Sequence, residues 1–78
     1  MTDVALGTSV VDAAGRPIGR VEAAFADYLL VRTVGLPVDL YVPADRYSSE
    51  ADRVVTDAAS ATEAYDLWHR PLKRAPHP

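Results

Sequence analysis

The sequence contains no cysteine. A disulfide framework and thiolate metal sites are therefore excluded. Long apolar runs are also missing. The longest, residues 23–26 and 28–31, fall far short of the ~20 residues that cross a bilayer as a helix. The opening Met1-Thr2-Asp3-Val4 has no basic segment followed by an apolar stretch. No secretory signal is expected, and the cytoplasm is the expected compartment. Glycine occurs only four times and apolar residues make up 49% of the chain, which argues against global disorder. No internal repeat is evident. At 78 residues the chain is one domain. A domain of this size buries only about 60% of its unfolded surface, so it must be well idealised or lean on a partner.

Charge is unevenly placed. Residues 1–69 hold five arginines and all eleven acids, a balance of −6, whereas residues 70–78 hold Arg70, Lys73 and Arg74, a balance of +3. An acidic body repels phosphate backbones and disfavours nucleic acid as its ligand. The basic, proline-rich tail offers Arg70, Lys73 and Arg74 as candidate contacts to RNA or to an acidic partner. The plainer reading is a solvated terminus. The expected organisation is a domain over residues 5–69 followed by this tail.

The body reads as closely spaced strands. Residues 8–12 are rich in β-branched side chains. Asp12 and Gly15 suit the first and last positions of a type I turn, and Pro17 suits the first residue of the next strand. Over residues 18–27, Val21, Ala23 and Phe25 share a face by simple alternation, which assigns Phe25 to the core. Ile18 has the wrong parity, and a bulge at Gly19 would restore it to the core. Residues 28–31 are continuously apolar and predict burial on both faces. Gly35 and Pro37 mark a turn. In residues 38–42, Val38, Leu40 and Val42 alternate with Asp39 and Tyr41, the pattern of a half-buried strand. Residues 43–52 read as a polar connection with one helical turn after Pro43, and residues 53–56 as the last strand. Ser60-x-x-Glu63 matches a helix capping box. Ala61, Ala64, Tyr65 and Trp68 then share a helical face with Leu67 beside it, and Pro71 ends the helix near His69. Such short strands and close turns suggest a small barrel or sandwich.

The order Val10/Val11-Asp12-x-x-Gly15-x-x-Ile18-Gly19-x-Val21, then Asp27-Tyr28-Leu29-Leu30-Val31, Tyr41-Val42-Pro43 and Arg53-Val54 resembles the PRC-barrel superfamily. The match covers about residues 6–57 and looks most like the short stand-alone bacterial members of unknown function. The resemblance implies a mainly β fold, a small antiparallel barrel of about five or six short strands, here with one short C-terminal helix. It also implies a scaffold that binds other macromolecules, with no shared catalytic residues to carry over.

Motifs for chemistry are weak. Asp12-x-x-Gly15 also fits a nucleotide-binding step, but no phosphate-cradling G-x-x-x-x-G-K-[ST] accompanies it. Asp45, Glu50 and Asp52 lack the spacing of a calcium loop. His69 and His77 lack companion ligands for zinc. Ser48, Ser49 and Ser60 lack a nucleophile elbow, and Ser60 already has a capping role. The expected protein is not an enzyme and takes no cofactor or metal. It is expected to be a protein-interaction module that self-associates as a homodimer or binds another protein, without a membrane span. Tyr41, Tyr65 and Trp68 form the candidate partner surface, since Trp and Tyr anchor interfaces. The competing assignment is that Tyr65 and Trp68 close the barrel from their helix. The alternative function is a ribosome- or RNA-associated factor acting through the basic tail.

Overall fold

The computed structural model describes residues 4–35 and 38–70. Six strands come in the order β1 (Ser9–Val11), β2 (Pro17–Ala24), β3 (Tyr28–Thr33), β4 (Asp39–Pro43), β5 (Tyr47–Glu50) and β6 (Arg53–Thr56). A 3₁₀ turn (Ala44–Arg46) joins β4 to β5, and one helix, α1 (Ala61–Trp68), follows β6. The strands form one curled half-barrel sheet in the spatial order β4-β3-β2-β1-β6-β5. The mainly β class with one short helix agrees with the expectation, as does the helical turn after Pro43. Three particulars differ. Pairing of β1 with β6 is parallel, whereas the other pairings are antiparallel. The sheet keeps two edges rather than closing. The polar connection of residues 43–52 also contains a strand, β5, whose last three side chains are exposed. Its Tyr-Ser-Ser-Glu sequence carries no apolar alternation, so only pairing with β6 reveals it.

A short connection forces the curl. Six strands laid flat would put the two edge strands about 24 Å apart, five gaps of ~4.8 Å. Those edges, β4 and β5, are consecutive in sequence, and Pro43 to Tyr47 spans about 14 Å at most when fully extended. The sheet must roll until one corner of each edge meets. Backbone bonds from Ala44 N–H to Asp27 O (2.9 Å) and from Asp57 N–H to Arg46 O (3.0 Å) pin that corner to the neighbouring strands.

Two irregularities in β2 set which side chains face inward. Against β1, Val10 pairs with Gly19 and Val11 with Pro17, leaving Ile18 as the extra residue. This shift falls one residue before the expected bulge and has the expected effect, since Ile18 and Val21 are both buried. Against β3, Val21 pairs with Val31 but Ala23 with Leu30, so Glu22 is a second extra residue. Parity flips there. Phe25 consequently leaves the core and is 49% exposed, which corrects its assignment from alternation. In β3, Leu29 and Val31 are buried while Tyr28 and Leu30 are half-buried, so one face rather than both is fully covered.

The core lies inside the curl. Val10, Ile18, Val21, Leu29, Val31, Leu40, Val42 and Val54 from the strands meet Ala58, Ala64 and Trp68. The helix packs against β4 and β2. Its capping box forms with a variation: Ser60 Oγ accepts from Glu63 N–H, while the Glu63 carboxylate accepts from Ala59 N–H rather than from the cap residue itself. Helix burial is narrower than the sequence stripe, with Ala64 and Trp68 buried and Ala61 and Leu67 exposed.

Gly19 is a point of close backbone approach. A Cβ built there would collide with the Arg32 carbonyl of β3. Gly19→Ala is expected to cost at least about 1–3 kcal/mol, as overpacking does. Denaturant unfolding measures this, and wild-type stability in the variant would contradict the close β2–β3 approach.

Candidate interaction surfaces

The residues singled out in the sequence fall into separate places. Trp68 is 3% exposed and belongs to the core. The Arg46 guanidinium sits 5.7 Å from its ring centroid and closes it from outside. Arg46 is itself held by Asp57 at 2.6 Å, which raises its pKa above the ordinary value. Trp68 in the isolated chain is therefore a barrel-closing residue, not an exposed anchor. Tyr65 is half-buried against the core and stacks on His69, with centroids 4.5 Å apart and planes at 12°. His69 Nδ1 lies 2.6 Å from the Tyr65 carbonyl oxygen, which can only accept, so that nitrogen donates. Tyr41 lies away from both, on the outer face of β4. Arg70 is exposed. Lys73 and Arg74 lie outside the described residues, as does His77.

Tyr41 belongs instead to an aromatic row on the outer face. Phe25 and Tyr28 close the β2–β3 turn, Phe25 N–H donating to Tyr28 O at 2.9 Å. Their rings stack with centroids 4.7 Å apart. Tyr28 and Tyr41 follow at 6.0 Å. Leu30 pairs with Tyr41 and with Ala23 on this same face. Beyond the row lies an ion triad, with Arg32 bound to Glu22 at 2.9 Å and to Asp39 at 3.1 Å. The hydrogen bond to Asp39 leads the rise in the Arg32 pKa. Sequence reading missed Phe25 and Tyr28 as outward residues. Counting backward from the turn at Ala26-Asp27 would have found them, because the two residues that close a two-residue turn share a face.

The Asp12 carboxylate does structural work. Asp12 is 1% exposed. Its Oδ1 accepts from Ala14 N–H and Arg16 N–H, both at 2.9 Å, and its Oδ2 accepts from Arg16 Nε at 3.0 Å. Gly15 N–H donates to Asp12 O at 2.9 Å, and Gly15 has φ +89°, completing the expected turn. These bonds, led by Arg16 N–H, hold the carboxyl below its ordinary pKa despite its burial. Arg16 then donates to Ala59 O at 2.8 Å, and Ala13 N–H donates to Ala58 O at 2.8 Å. The turn thus fixes the segment that starts α1. Every acceptor direction used here serves the chain's own backbone and Arg16.

At the far edge of the sheet, Ser48, Ser49 and Glu50 of β5 are exposed. Tyr47 is half-buried, and burial raises its hydroxyl pKa. One open depression of about 250 Å³ adjoins the strand along Asp45, Tyr47 and Asp57, and another of about 240 Å³ along Ser49, Asp52 and Thr8. Both are smaller than the ~300–1,000 Å³ of ordinary ligand pockets. Among the described residues no three His, Asp or Glu side chains gather as a metal-binding group. No described helix is long and apolar enough to cross a membrane. Compared with known proteins, the chain matches no family model and no curated protein.

Two outcomes follow from the buried groups. Trp68→Ala is expected to cost about 3–5 kcal/mol by leaving a core cavity, measured by chemical unfolding. Unchanged stability with altered self-association would return Trp68 to the partner surface. Asp12 has a depressed folded pKa, so its contribution is complete above the ordinary carboxylate value of 3.8 and is lost as pH falls through the lower folded value. Asp12→Asn should lower Tm at neutral pH and flatten the acid limb of the Tm–pH curve. An acid limb as steep as wild type would show that Asp12 does not carry it.

Proposed function

We propose that this chain is a non-catalytic protein-interaction module that self-associates, built on a PRC-barrel-like scaffold. The observation that carries this reading is the open sheet. Its β5 edge is exposed, and an unpaired strand edge is a template for another chain. The outer aromatic row of Phe25, Tyr28 and Tyr41 supports the reading as a further contact surface, because large aromatic side chains dominate interface energetics. Three of the polar side chains weighed for chemistry have structural partners: Asp12 holds its turn, Ser60 caps α1 and His69 bonds the last turn of α1.

Sedimentation velocity over a range from about 10 μM to 1 mM tests self-association. The expected result is a weight-average sedimentation coefficient that rises with concentration. A constant monomer value across the range would overturn it. Binding to RNA that weakens steeply with salt and disappears on removing residues 70–78 would replace this reading with the RNA-associated one.

A further inference from the structure

The main-chain groups on the free edge of β5 can be assigned one by one. Asp57 N–H donates to Arg46 O, and Arg46 stands opposite Asp57 in the register that continues through Tyr47–Thr56 and Ser48–Val55. Hydrogen-bonded pairs alternate in an antiparallel ladder. Ser48 and Glu50 therefore bond back to Val55 and Arg53, and the main-chain groups of Tyr47 and Ser49 point outward. Tyr47 and Ser49 each offer both N–H and C=O on this edge. Ala51, next along the edge with φ +51°, has an N–H with no backbone partner among the described residues.

This sequence of groups is its own complement. We infer that two copies of the chain pair β5 to β5 antiparallel, with the two-fold axis at Ser49. The inference rests on the self-association reading and names its surface. In this register Ser49 exchanges both main-chain bonds with the partner's Ser49. The Tyr47 C=O meets the partner's Ala51 N–H. On the outer face, Ser48 stands opposite the partner's Glu50, a hydroxyl donor facing a carboxylate. Each contact occurs twice, and no like charges face one another. The edge carries no proline and no lysine, two of the usual blocks to strand addition. One short edge buries less than the ~1,600 Å² of a standard interface, so the pairing is reversible and concentration-dependent.

Because Ser49 faces its own copy, a charge placed there repels itself. Ser49 is exposed, so Ser49→Lys and Ser49→Glu should fold, which circular dichroism and Tm check. Each variant alone is expected to lose about tenfold or more in association constant, since facing like charges cost several kcal/mol. An equimolar mixture of the two should recover association, as the mixed pair sets Lys against Glu. A third variant, Asp66→Lys on the exposed side of α1, should associate like wild type. Association of wild type that survives in both Ser49 variants, or that Asp66→Lys abolishes, overturns the β5 pairing and leaves self-association standing. Loss in both Ser49 variants without recovery on mixing overturns the two-fold at Ser49. Monomeric wild type at all concentrations overturns the self-association reading itself.

Discussion

Three residues between the two edges of one sheet constrain everything else in this molecule. Ala44–Arg46 must bring the end of β4 to the start of β5, although those strands lie at opposite edges of a six-stranded order. Rolling the sheet is the only way to span that gap. The roll creates an inside, and the inside is where the alternating Leu40, Val42, Leu29 and Val31 meet Val10 and Val54. The two edges meet at that corner but do not pair along their length, so closure stops there. A half-barrel follows, with a core and with an edge left over.

The leftover opening is managed differently at its two ends. Near the corner, Trp68 enters the core and Arg46, tied to Asp57, caps its ring. The helix that delivers Trp68 is held at its start by the Asp12 turn, through Arg16 to Ala59 and from there through Glu63 into the first helical turn. A single buried carboxylate therefore organises a turn, bridges to the segment after β6 and sets where the helix begins. Away from the corner nothing described covers β5. Its side chains are short and polar, which suits solvent, while its main-chain groups suit another strand.

Much of this was legible in the residues. Asp12 and Gly15 announced their turn, Ser60 and Glu63 their cap, and Leu40 and Val42 their inward face. Part of what stayed hidden follows from the period-2 pattern, which reports only a regular, half-buried strand. An extra residue at Glu22 flips parity, so Phe25 counted forward from Val21 lands inside and in fact lies outside. The strand β5 has no buried face to write a pattern, and so it reads as a loop. Trp68 and Tyr65 do share the helical stripe, but the stripe does not say whether the barrel or a partner receives it. The parallel pairing of β1 with β6 joins residues more than forty positions apart, and no local signal encodes it.

The fold and the proposed role meet in the state of β5. Residue-resolved amide hydrogen exchange on dilute protein addresses it most directly. An open edge predicts slow exchange at Ser48 and Glu50, whose N–H groups bond to β6, and fast exchange at Ser49 between them. Exchange at Ser49 as slow as at its two neighbours, in dilute monomer, would mean that the edge is already covered and would contradict the open half-barrel.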